Sequence, residues 1–200
     1  MLESYGQLRM RELEEPGKSG LLVRVACCGV CGSDVAAYLG KEVMRERWQL
    51  PLVLGHEVSG VVEEGPEEWV GKGVAVNPLV SCGNCRACRV GRENLCRRRR
   101  HIGFHEVGGF AERIRVPVEQ LVPLPVGVEV WKGALAEPLA VALRVEELAG
   151  PGDGRQALVV GGGGIGALVA WALGRVGWRV CVAERSSARR SWLEGLGVAE

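Results

Sequence analysis

The sequence carries almost no net charge: 25 Lys and Arg stand against 24 Asp and Glu, leaving +1 over 200 residues. So balanced a chain has no general electrostatic pull towards nucleic acid or an acidic membrane surface. It also lacks a long unbroken apolar run. The longest apolar stretch poor in charge, residues 156–173, is interrupted by glycines and reads as strand, turn and helix, not as a membrane span. The first residues have neither the basic start, the apolar stretch nor the cleavage site of a secretion signal. No internal repeat is found. These absences give the expectation of a cytoplasmic protein that uses neither nucleic acid nor membrane as a partner.

What is present is ordinary globular composition, 47% hydrophobic and 24% charged, plus eight cysteines. A reducing cytosol disfavours structural disulfides. Clustered cysteines in such a compartment bind metal or do redox chemistry. Four of them, Cys82, Cys85, Cys88 and Cys96, follow the spacing C-x2-C-x2-C-x7-C. The two short steps put three thiols on one tight loop, and the long step brings back the fourth. Pro78, Gly83 and Gly91 allow the turns. Four thiolates suit tetrahedral zinc and leave no open coordination position, so this loop is expected to be a structural staple. An iron–sulfur cluster is the other group that four thiolates can hold.

The chain divides in character. Residues 21–28, 53–65, 74–80 and 108–125 read as short strands punctuated by glycine and proline. Residues 133–148 have helical periodicity around one Glu-Pro break. A Gly/Pro hinge at 150–154 then leads into strand, glycine-rich turn, helix, strand, helix. We therefore expect a β-rich domain over residues 1–150 and an α/β segment over 151–200. The four arginines at 97–100 read as a solvated loop.

Other residues of metal-ligand type are scattered. Cys31 follows a strand in CGSD, His56 and Glu57 sit in GHE, and Glu137 precedes a proline. A thiolate, an imidazole, a carboxylate and a water make a catalytic zinc site with an open position.

The glycine turn Gly161-x-Gly163-x-x-Gly166 has the context that a dinucleotide fingerprint needs: a strand before, a helix after, and the acidic Glu184 about twenty residues on. Gly161, Gly163, Ile165 and Gly166 are its candidate cofactor-binding residues. Phosphate would sit on the helix N-terminus. Glu184 would accept from the adenosine ribose 2′-hydroxyl and repel a 2′-phosphate, which favours NAD over NADP. Arg185 and Arg189 pull the other way, since a guanidinium can hold that phosphate.

The stretches GVCGSD, LGHEVSGVV, VAVNPLVSCGNCRACRVGRENLC, GGFAE and ALAEPLAVAL together resemble the zinc-dependent medium-chain dehydrogenase/reductases, the branch of polyol, sorbitol, threonine and butanediol dehydrogenases above all. The motifs stand in family order from about residue 21 onwards. The resemblance implies a β-rich GroES-like catalytic domain followed by a Rossmann domain. It implies catalytic zinc on Cys31 and His56, completed by Glu57 or Glu137, and structural zinc on the four-cysteine loop. Ser33 is then the hydroxyl that receives the substrate proton, and Asp34 orients the zinc histidine. Arg189 matches an arginine that packs near the adenosine. Many relatives have a relay histidine two residues after that aspartate; here the position is Ala36, so proton release would run through cofactor ribose or water. Gly162 and Gly164 stand where relatives commonly carry alanine and proline, which implies a less stiff turn.

The implied reaction is oxidation of a secondary alcohol of a polyol, sugar alcohol or hydroxy amino acid to a ketone, with hydride passed to NAD. Homo-oligomers are usual in the family. Only two Rossmann strands precede Glu200, where the family pattern continues well beyond. The expectations are a piece of a longer enzyme, a short non-catalytic zinc-binding product or binding module, or a fold completed by a second chain. An isolated pair of strands would leave the apolar helix after the turn exposed at Leu168, Trp171 and Leu173.

Overall fold

The computed structural model describes residues 1–14, 17, 19–45 and 48–198. The expected domains, 1–150 and 151–200, thus include a few positions (15, 16, 18, 46, 47, 199 and 200) that lie outside the described residues. Two compact units are seen, Met1–Glu137 and Pro138–Glu200.

The first unit opens with a short antiparallel ladder of β1 (Leu2–Ser4) and β2 (Gln7–Leu8). Its body is a five-stranded antiparallel sheet. The long β3 (Leu21–Gly29) leads into the short helices α1 (Gly32–Tyr38) and α2 (Glu42–Arg45), and β4 (Glu57–Glu64) and β5 (Gly73–Val76) follow. A satellite ladder pairs β6 (Leu79–Val80) with β7 (Arg100–His101), bracketing the cysteine loop and its one-turn helix α3 (Arg86–Arg89). Then come β8 (Arg113–Val116) and β9 (Leu121–Pro123), and the sheet order is β8-β3-β4-β5-β9. Alternation of β-branched residues puts Val23, Val58, Val62, Val74, Ile114 and Val116 into one core, each at most 1% exposed. Each such burial contributes about 1.5–3 kcal/mol.

The strand expected over 53–65 begins only at Glu57. Residues 53–56 are an irregular segment, because their backbone groups bond to the loop at 108–110 and not to a neighbouring strand. The stretch 74–80 is likewise split, since Asn77-Pro78 interrupts the ladder between β5 and β6.

A 3₁₀ turn over Val130–Leu135 runs into α4 (Ala136–Ala149). The expected Glu-Pro break does not occur. Pro138 is the third residue of α4, where the backbone N–H has no partner within the helix and its loss costs nothing.

The second unit continues with β10 (Gln156–Val160), α5 (Gly164–Arg175), β11 (Arg179–Ala183) and α6 (Ser187–Leu196). β10 and β11 pair in parallel over five residues, Gln156 opposite Arg179 to Val160 opposite Ala183, a connection that needs a crossover helix. Ala170, Leu173 and Val180 form the core there, with Ala157 and Val159 packed on it. Leu173 is therefore buried, contrary to expectation, because the α5 face that carries it is the one that covers the strands; Trp171 remains exposed. The opposite strand face leaves Leu158 and Val160 in solvent. Among the described residues no helix is long and apolar enough to cross a membrane.

Candidate functional site

The end of β3, the start of α1 and the residues before β4 converge. Asp34 is the organiser. Its Oδ2 accepts from the Cys31 backbone N–H at 2.9 Å, and its Oδ1 accepts from the Gly55 N–H at 3.3 Å. One buried carboxylate so ties the CGSD turn to the GHE turn. The GHE turn is also held from the side: Gly108, Phe110 and Gly109 N–H groups donate to the carbonyls of Val53, Leu54 and Gly55. Gly55 itself has φ +98°, and a Cβ there would lie 2.7 Å from Cys28 Sγ and 2.7 Å from the Phe110 ring. Only glycine fits.

This geometry delivers Cys31, His56 and Glu57 to one point, with one ligand atom from each lying within 4.8 Å of the others. His56 presents Nε2 towards Ser33 Oγ, 3.5 Å away, and Nδ1 towards Asp34 Oδ1 at 3.6 Å. The second distance exceeds a normal hydrogen bond, and Nδ1 is a buried atom without a hydrogen-bond partner among the described residues. We treat that contact as charge attraction. Burial opposes a charged ring at His56, but Asp34 and Cys31 outweigh it and push its pKa up to about 10. The Cys31 thiol is pushed down, chiefly by the His56 ring. A thiolate and a ring that attracts positive charge, backed by a carboxylate, fit a cation: a metal would displace the ring proton, as metal binding to histidine requires. An imidazole with one nitrogen towards the centre and the other towards a carboxylate is the usual arrangement of a metal-bound histidine.

Glu137 does not join the group of three. Its carboxyl is pushed up by burial; the His56 charge opposes this and the Glu57 charge adds to it. Ala36 is half-buried on α1. One neighbour was not legible from the sequence: His101 sets its ring 5.4 Å from that of His56, and Phe104, stacked on Trp48, lies 4.9 Å from it. No spacing rule links His101 to His56; the β6–β7 ladder brings it there.

The four-cysteine loop brings its four thiols together, each within 4.8 Å of the others. Sulfur separations are 3.9 Å for Cys82–Cys88, 3.4 Å for Cys85–Cys88 and 3.5 Å for Cys96–Cys82. A tetrahedron with metal–sulfur bonds of ~2.3 Å has edges of ~3.8 Å, so the thiols fit a zinc-sized ion. All eight cysteines are free. Gly83 and Gly91, both at φ +70°, make the left-handed turns. Backbone donors, that of Asn84 first, push the Cys82 thiol down to about 6, whereas burial and the neighbouring thiols push Cys88 up to about 11. The first protons leave easily and later ones cost more as negative charge accumulates, a cost that a bound cation removes.

In the second unit Gly161 has φ +102° and Gly166 packs so closely that a Cβ would meet the Gly161 carbonyl oxygen. Gly163 precedes the first turn of α5, and Ile165 is partly exposed within it. A Cβ at Gly162 would lie 2.6 Å from Leu193 Cδ1. Glu184 accepts from the Gly162 N–H and the Ser186 N–H, both at 2.8 Å, and pairs with Arg189 at 3.6 Å. The Ser186 and Gly162 donors hold its carboxyl below the usual range. A carboxylate has about four acceptor sites, so these bonds leave room for a ribose hydroxyl.

Residues 17–126 match the alcohol dehydrogenase GroES-like domain family. The chain is 39% identical over 178 residues to 2-dehydro-3-deoxy-L-galactonate 5-dehydrogenase of Pseudoalteromonas atlantica, covering 87% of this chain and 52% of that protein. An Escherichia coli CFT073 alcohol dehydrogenase solved with NADH superposes with a TM-score of 0.86 at 33% identity, covering 100% of this chain and 59% of that one. A Sinorhizobium meliloti 1021 protein solved with NADP gives 0.85 at 37% identity, covering 97% and 58%. The chain spans about half the length of the curated relatives it matches. Its β-rich first unit is the GroES-like domain and its second begins a Rossmann fold, and the chain belongs to the zinc-dependent medium-chain dehydrogenase/reductases.

Proposed function

We propose that this chain carries the catalytic and structural metal sites, and the first part of the cofactor site, of a dehydrogenase that oxidises a secondary alcohol of a polyol or sugar acid to a ketone. The observation that carries the reading is the convergence of Cys31, His56 and Glu57 with Asp34 behind the ring. On this reading residues 1–150 are the catalytic domain and 151–200 the start of the dinucleotide-binding domain. Zinc, when bound there, would polarise a substrate hydroxyl and lower its pKa. Cys31, His56 and Glu57 would hold it, Glu137 standing by as the alternative carboxylate. Cys82, Cys85, Cys88 and Cys96 would hold the structural ion. Ser33 would take the substrate proton, its Oγ lying beside His56.

The cofactor would supply the hydride acceptor. Gly161, Gly163, Ile165 and Gly166 would bring the backbone to its pyrophosphate, with Glu184 at the adenosine ribose and Arg189 beside it. Glu184 supports NAD over NADP; similar proteins have been solved with NADH and with NADP. A sugar-acid substrate is supported by the similarity to the galactonate-type dehydrogenase.

The test is reduction of NAD by the purified protein with a panel of polyols and aldonic acids, before and after removal of metal by a chelator. Alcohol-dependent NADH that disappears with the metal supports the reading. Activity that survives complete removal of metal contradicts it. A chain that binds zinc yet reduces no cofactor with any alcohol would favour the non-catalytic alternative.

A further inference from the structure

The arginines at 97–100 are all exposed, as a solvated loop requires, but their side chains do not make the same contacts. Arg99 Nη1 donates to the Cys96 carbonyl at 3.3 Å, and Arg100 pairs with Glu106 at 2.7 Å. Arg97 makes no hydrogen bond or ion pair among the described residues. Arg98 alone of the four turns to a sulfur: its Nη2 lies 3.4 Å from Cys82 Sγ and also donates to the Asn84 side-chain oxygen. Asn84 is itself pinned, its carbonyl accepting from Arg89 Nε at 3.0 Å. The guanidinium is therefore aimed, by a residue of the loop itself, at one particular thiol.

Chemistry gives this contact a purpose. Four thiolates around a divalent cation carry two net negative charges, and Cys82 and Cys85 are only half-buried. A guanidinium N–H bonded to one of these sulfurs offsets part of that charge and fixes the direction in which the sulfur faces the ion. We propose that Arg98, aimed by Asn84, is a positioning residue that keeps Cys82 as a metal ligand and sets how tightly the cysteine loop retains its ion. The inference rests on the reading of that loop as a zinc site.

The experiment measures zinc affinity of the purified protein by competition with a colorimetric chelator, and the rate of zinc release to it. Partners that orient metal ligands typically cost about 10–100-fold in metal affinity when removed, and that is the loss expected for Arg98→Ala at the cysteine site. Arg98→Lys keeps the charge but not the forked donor geometry, so it should recover part of the loss. Arg97→Ala removes the same charge one residue away and should leave affinity unchanged. Circular dichroism of each variant with zinc restored separates metal loss from misfolding. Wild-type affinity in Arg98→Ala overturns the proposal, as does an equal loss in Arg97→Ala, which would mean bulk charge and not the sulfur contact. Cys96→Ser identifies the other route to failure: if it leaves zinc content untouched, the loop is not a zinc site and the proposal falls with that reading.

Discussion

Asp34 Oδ1 lies 3.6 Å from His56 Nδ1, with the two side chains only 2% and 5% exposed. The same carboxylate accepts from the Cys31 and Gly55 N–H groups. It therefore fixes both the backbone that carries the candidate ligands and the orientation of the histidine. Asp34→Ala should lower zinc affinity at this site by about 10–100-fold. It should also destabilise the fold, because each buried N–H left without a partner costs about 1–3 kcal/mol. Competition with a zinc indicator and urea unfolding read the two effects separately. Asp34→Ala with unchanged metal affinity would show that the carboxylate is scaffold only.

Gly55 and Gly71 both have positive φ, +98° and +81°, but only Gly55 is crowded. Gly71→Ala should cost about 1–2 kcal/mol for the left-handed backbone alone. Gly55→Ala adds overpacking of about 1–3 kcal/mol against Cys28 and Phe110. Chemical denaturation of the pair should give a clearly larger loss for Gly55→Ala.

Glu57 and Glu137 compete for one role. Glu57 shares a point with Cys31 and His56, whereas Glu137 does not. Glu57→Ala is expected to lower zinc affinity at the catalytic site more than Glu137→Ala does. Equal affinities, or the reverse order, would move the carboxylate ligand to Glu137.

Glu184 should make NAD bind more tightly than NADP, since its carboxylate can accept from the ribose 2′-hydroxyl and repels a 2′-phosphate. Glu184→Ala should erase the difference in a calorimetric titration. The carboxyl is held low in the folded state by the Ser186 and Gly162 donors. Its contribution to stability is thus complete above its unfolded pKa near ~4.3 and is lost as pH falls through the lowered folded value. Unfolding of the wild type and of Glu184→Gln compared across acid pH should show that part of the slope only in the wild type.

Much of this was legible because the signals are local. β3 announces itself by β-branched Val23 and Val25 in an apolar stretch without a breaker. The cysteine spacing closes a loop by itself, and the glycine turn is a strand–turn–helix pattern within thirty residues or so. What was not legible is what distant segments impose. Residues 53–56 read as strand, but the N–H groups of residues 108–110 take their carbonyls and bend them into the turn that carries His56. His101 reaches His56 only because β6 and β7 pair across the cysteine loop. Pro138 looked like a break because composition does not tell a proline in a helix's first turn from one in its interior. Arg98 looked like its neighbours because sequence gives charge and not direction.

The proposed function requires two separate metal sites in this chain. The most direct test is the metal content of the purified protein by elemental analysis, for the wild type, His56→Ala and Cys96→Ser. Two zinc ions per chain are expected in the wild type and one in each variant. One zinc or none in the wild type, iron in place of zinc, or variants that keep both ions would contradict the proposed function.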